Sequence, residues 1–98
     1  MAELLDPQAV TEALAELPDW SGDGSAIHRT VSVDDNARTQ LLSELEALAR
    51  EMNHDPDLDF PAGAVTITMS THSKGGVTDL DVSYARRADE LISRLTSP

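Results

Sequence analysis

Residues 65–70 alternate without a break, with Val65, Ile67 and Met69 set against Thr66, Thr68 and Ser70. Successive side chains of a strand point to opposite sides, so this segment has one apolar and one polar face. Such a strand belongs in a sheet with one side covered and the other open to water. The cover must come from the same chain, and three other segments carry helical periodicity.

The first of these opens at Asp6-Pro7, an N-cap followed by proline at the first helical position. Val10, Leu14 and Leu17 then share one face, and Pro18 stops the helix after about three turns. The second begins at Asp34 or Asp35 and carries the stripe Leu41, Leu45, Leu48 and Met52, supported by Leu42 and Ala49. It should end near Asn53, because Pro56 disfavours helical geometry in the residue before it. The third is announced by Thr78 with Asp81 three residues on, a capping box with Asp in place of Glu. Its stripe is Leu80, Tyr84, Ala88, Leu91 and Leu95.

Between the helices lie strands. Gly22-Asp23-Gly24 is a turn signal, and Ile27, Val31 and Val33 then share a face, with Arg29 as the exception. His28, Thr30 and Ser32 lie opposite, and a hairpin with its first arm near Trp20 is expected. Residues 57–60 form a short edge strand, broken or bulged by Pro61-Ala62-Gly63. Lys74-Gly75-Gly76 is a loop, and a turn accounts for it better than an anion site. The order α-β-β-α-β-β-α predicts an α+β fold, a four-stranded antiparallel sheet with three helices on one face.

The chain has 98 residues, which fits one domain spanning 1–98. Apolar residues make up 40%, enough for a core, yet only Trp20, Phe60 and Tyr84 are aromatic. Self-association would therefore help so small a fold. A net charge of −11 repels phosphate backbones and anionic membranes, so neither nucleic acid nor membrane is an expected partner. There is no cysteine, which excludes disulfide and thiolate chemistry. The first residues lack the basic start and apolar run of a signal peptide, and a cytoplasmic protein is expected.

Histidine is the side chain best suited to proton transfer near neutral pH. His28 reads as a surface residue in mid-strand. His54 stands at a helix C-terminus, and His72 where the best strand runs into a glycine loop. Asp55-Pro56-Asp57-Leu58-Asp59 begins like a calcium loop but has Phe60 in place of the required glycine and Thr66 in place of the closing glutamate. Neither cysteine clusters nor a His-Glu-x-x-His helix argues for a metal, and none is expected.

Asn53-His54-Asp55-Pro56, a strand ending in Thr71-His72, and Gly76-Val77-Thr78 with Asp81 together resemble the pterin-4a-carbinolamine dehydratase family. The likeness covers nearly the whole chain, including Trp20 after a leucine-bearing first helix. It implies a four-stranded sheet covered by helices, assembled as a homodimer or homotetramer. It also implies removal of water from a 4a-hydroxytetrahydropterin to give quinonoid dihydropterin, with no metal and no cofactor. The residues it marks as catalytic are His54, His72, Asp55 and Asp81, with Pro56, Thr71 and Ser70 against the substrate. The family usually has a second histidine where Asp55 stands, an acidic residue at Arg50 and an aromatic at Ala62. Those departures imply two alternatives: a dehydratase redirected to a related ring substrate, or a non-catalytic assembly or dimerisation partner.

Overall fold

The computed structural model describes residues 3–96; Met1, Ala2, Ser97 and Pro98, with the first part of the N-terminal segment, lie outside the described residues. Helix α1 is Pro7–Ala15, and the Asp6 carboxylate accepts the Ala9 N–H at 2.8 Å as its N-cap. It stops three residues before Pro18, because the Glu16 and Leu17 N–H groups turn back to Ala13 and Leu14 in a tightened last turn. Val10 and Leu17 are buried as the spacing predicts, and Leu14 packs at the edge of the core.

Strands β1 (Ser21–Gly22) and β2 (Ile27–Ser32) form the expected hairpin, with a first arm of only two residues. Asp23 accepts both the N–H and the hydroxyl of Ser25 in the turn, which holds its carboxyl below the usual carboxylate range. Helix α2 (Asp35–Met52) crosses over the sheet, and Asp34 is the residue that caps it, through Ala37 N–H at 2.8 Å. Strand β3 (Asp57–Asp59) and strand β4 (Ala64–Met69) follow, and helix α3 (Asp79–Thr96) closes the fold. Phe60 falls just outside β3 and is half exposed.

All pairings are antiparallel and the strand order is β1-β2-β4-β3, so the most strongly alternating segment is an inner strand. Register decides the faces. Ile27 stands opposite Met69, Val31 opposite Val65 and Leu58 opposite Ile67, all toward the helices. His28, Thr30, Asp57, Asp59, Thr66 and Thr68 share the open face, where the Thr30 and Thr66 hydroxyls bond across the strands at 2.9 Å. Arg29 faces inward yet is satisfied: its guanidinium meets Asp89 at 2.6 Å, and Asp89 also accepts the Trp20 indole N–H at 2.8 Å. This contact ties β2, α3 and the approach to β1 together.

Helix α3 is rotated from the stripe that its leucines suggest. Asp81, Ala85, Ala88 and Ile92 are buried with Tyr84, while Leu80, Leu91 and Leu95 lie at the margin. Two alanines let the helix backbone come close, and Asp81 is drawn inward by hydrogen bonds, so leucine spacing alone misplaces the face.

The loop after β4 is clamped to the β1–β2 turn. The Val77 N–H donates to Gly24 O at 2.9 Å and the Ser70 hydroxyl to Ser25 O at 2.8 Å. A Cβ on Gly76 would stand 2.4 Å from the Gly24 carbonyl oxygen. Gly76→Ala must therefore push two backbones apart, at an expected cost of about 1–3 kcal/mol in urea unfolding. An unchanged midpoint would show that this contact opens freely.

Candidate active site

His54 is placed by the way α2 ends. Asn53 takes up the left-handed conformation (φ 51°, ψ 47°), and the His54 N–H reaches back to Ala49 O at 3.0 Å while the Asn53 N–H bonds Arg50 O at 3.3 Å. This is the two-bond helix stop that follows a left-handed residue. It reverses the chain within one residue and sends the imidazole inward, so that the His54 side chain is 10% exposed.

The imidazole meets Asp81, whose side chain is fully buried; Nε2 lies 2.5 Å from Oδ1. Asp81 is the third residue of α3, and Thr78 is its N-cap in the capping box that the sequence announces. The Thr78 N–H donates to Asp81 Oδ2 at 2.8 Å, and the Leu80 N–H donates to Thr78 Oγ1 at 3.3 Å. The Thr71 hydroxyl also donates to Oδ2, at 2.8 Å, and contacts Thr78 Oγ1 at 2.7 Å. A buried carboxylate is tolerable only with such partners. The carboxylate that completes the capping box, Asp81, is thus also the acceptor that orients His54.

Among the described residues His54 Nδ1 takes no hydrogen-bond partner, and no unpartnered nitrogen here is sealed from solvent. With Nε2 against a carboxylate, Nδ1 is left as the ring nitrogen open to a ligand.

His72 is placed differently. It opens a single 3-10 turn, His72–Lys74, which Gly75 closes in the left-handed conformation at φ 77°. Its side chain is 81% exposed, with Nε2 3.5 Å from the Asp57 carboxylate on β3. Asp55 is exposed and Pro56 half-buried, one and two residues beyond His54. Arg50 and Ala62 are exposed as well. The structure gathers His54, Thr71 and Asp81 into one network, pairs His72 with Asp57, and turns the Ser70 hydroxyl to Ser25 O. Thr78 and Asp57 are the participants that sequence reading passes over. Thr78 is visible there only as a cap, and Asp57 only as a strand residue.

Burial first, and the negative charge of Asp55 second, push the Tyr84 phenol well above its ordinary range. Its hydroxyl donates to Leu45 O at 2.8 Å. An unfolded tyrosine ionises near pH 10. Above that pH the unfolded chain releases a proton that the folded chain keeps, so stability falls as pH rises. The contribution is complete below about pH 10 and declines above it by about 1.4 kcal/mol per pH unit. Tyr84→Phe should abolish this slope, read as the difference between variant and wild type in urea midpoints measured across that range.

No group of three or more metal-ligating side chains occurs among the described residues.

The sequence model of the pterin 4 alpha carbinolamine dehydratase family matches residues 3–91. The chain belongs to that family. A relative from Nocardia farcinica is 41% identical over 90 residues, covering 91% of this chain and 95% of its own. One from Mycobacteroides abscessus is 37% identical over 100 residues, covering 96% of this chain and all of its own. Both carry the dehydratase name as an inferred one. A crystal structure described as a transcriptional coactivator/pterin dehydratase from Brucella melitensis superposes with a TM-score of 0.86 at 27% identity, over 92% of this chain and 99% of that one. A pterin dehydratase-like RuBisCO assembly factor of the alpha-carboxysome superposes with a TM-score of 0.57 at 24% identity, over 74% of this chain and 86% of that one. The latter is a likeness of fold alone. The α+β architecture is therefore the family's own.

Proposed function

We propose that this member of the family is a hydro-lyase that dehydrates a 4a-hydroxytetrahydropterin to the quinonoid dihydropterin. The observation that carries the proposal is the His54–Asp81 pair, which leaves His54 Nδ1 open to a ligand. In the reaction the C4a–O bond breaks, the hydroxyl leaves as water, and the N5 proton is removed as the C4a=N5 double bond forms. Nothing is oxidised or reduced. His54 Nδ1 accepts the N5 proton, and His72, backed by Asp57, delivers a proton to the departing hydroxyl. Asp81 orients His54, Asp55 supplies negative charge at the rim, and Pro56, Thr71 and Ser70 shape the wall. No metal or cofactor takes part in this reading.

Assembly as a homodimer or homotetramer accompanies the proposal, and a single domain over residues 1–98 is its unit. The short edge strand β3 beside half-exposed Phe60 suits pairing with a second copy. No helix among the described residues is long and apolar enough to cross a membrane. With a net charge of −11, a cytoplasmic location and no nucleic-acid partner fit the reading.

The exposed Arg50, Asp55 and Ala62 favour a second reading, in which the site is redirected to a related ring substrate or serves assembly without catalysis. The deciding measurement is the dehydration rate of freshly generated 4a-hydroxytetrahydropterin with wild type and His72→Ala, after subtraction of the uncatalysed rate. Acceleration that disappears in the variant supports the dehydratase; no acceleration by wild type favours the second reading.

A further inference from the structure

Proton counting in the Asp81 network goes further than pair distances. Asp81 Oδ2 accepts the Thr78 N–H and the Thr71 hydroxyl, each at 2.8 Å. Thr71 has then given its one hydroxyl proton to the carboxylate, so at 2.7 Å from Thr78 Oγ1 it must accept. Thr78 Oγ1 donates to Thr71 at 2.7 Å in preference to Asp81 Oδ2 at 3.5 Å, and accepts from the Leu80 N–H at 3.3 Å. The result is a one-way chain: Leu80 N–H to Thr78 hydroxyl, to Thr71 hydroxyl, to Asp81 Oδ2. Each hydroxyl donates once and accepts once. Oδ2 has two donors at 2.8 Å, with the Thr78 hydroxyl farther off at 3.5 Å, and Oδ1 is left for His54 alone.

We infer that Thr71 and Thr78 are positioning residues that hold Asp81 as an acceptor and thereby fix His54 with its proton on Nε2. Thr71 is 7% exposed and Thr78 fully buried, so both act from within the wall of the site. The catalytic half of the inference rests on the dehydratase reading; the tautomer half does not. In the reversed chain Thr71 would donate to Thr78 and Thr78 to Asp81 Oδ2, but that last contact is 3.5 Å against 2.8 Å from Thr71, so the forward direction is the better bonded one.

The test uses the protein labelled with 15N-histidine, with His28→Gln and His72→Gln variants identifying the His54 signals. In neutral wild-type imidazole, Nε2 should carry the proton and Nδ1 should show the shift of an unprotonated nitrogen. Thr71→Val should move both signals toward averaging between the two tautomers and lower kcat for the pterin roughly 10-fold, with KM little changed. Thr71→Ser, which keeps the hydroxyl, should restore signals and rate. A wild-type His54 protonated on Nδ1 overturns the proton chain, and so do unchanged signals in Thr71→Val. Altered signals with an unchanged rate overturn the catalytic half. If wild type dehydrates no pterin but its imidazole signals respond as described, the dehydratase reading fails and the positioning geometry stands. If Thr71→Val does not fold, the wild-type tautomer still decides whether Asp81 is the acceptor that holds His54, and Thr71→Ser must retain both readouts.

Discussion

Replacing His54 with alanine is expected to slow background-subtracted dehydration of 4a-hydroxytetrahydropterin by roughly 10²–10⁴-fold, the usual worth of a positioned general base. Among the described residues the imidazole keeps one ring nitrogen without a hydrogen-bond partner, while Thr71, Thr78 and Asp81 are occupied with one another. The loss should fall on kcat, since proton removal from N5 belongs to the transition state and contributes little to holding the substrate. The variant leaves Asp81 short of one partner, so its folding must be checked by circular dichroism at the assay temperature. A folded His54→Ala protein with the wild-type rate would remove His54 from the chemistry and leave the site to His72.

Truncating Asp81 to alanine is expected to destabilise the fold by about 3–5 kcal/mol, because buried donors left without an acceptor cost about 1–3 kcal/mol each. The change deletes the acceptor of three donors at once: the Thr78 N–H, the Thr71 hydroxyl and His54 Nε2. It also removes half of the capping box of α3. Typical total stabilities are about 5–15 kcal/mol, so the variant stands near the threshold of folding. Asp81→Asn separates stability from chemistry. The amide keeps the shape, and its oxygen can still take the Thr71 and Thr78 donors. Its NH₂ then faces His54 and demands an acceptor at Nε2, which moves the ring proton to Nδ1. The asparagine variant should thus unfold at higher urea than the alanine variant, yet turn over nearly as poorly as His54→Ala. Equal stability of the two would mean that the shape and acceptor oxygen kept by asparagine contribute nothing to the fold.

Much of this fold was legible as periodicity. The 65–70 alternation defines an inner strand because one face must be covered, and the covering helices show their caps at Asp6 and Thr78. The two positions that periodicity misjudged have local causes. The α3 face turns toward Asp81 and its alanines, because hydrogen bonds and close approach outweigh leucine count there. The first helix ends early because its last N–H groups bond within a tightened turn before Pro18 is reached.

The site was legible only as residues. Sequence marked His54, Thr71, His72 and Asp81 through a resemblance, and it marked Thr78 as a cap. It gave no reason to join them, since Thr71 and Asp81 lie ten positions apart and His54 and Asp81 twenty-seven. What the sequence by itself determined was the set of elements and their faces, because caps, turns and alternation act over a few residues. What only the tertiary structure decided was partnership: His54 with buried Asp81, exposed His72 with Asp57, Arg29 with Asp89. Those contacts exist because packing α2, α3 and the end of β4 together removes water from polar groups, which must then find one another across the chain.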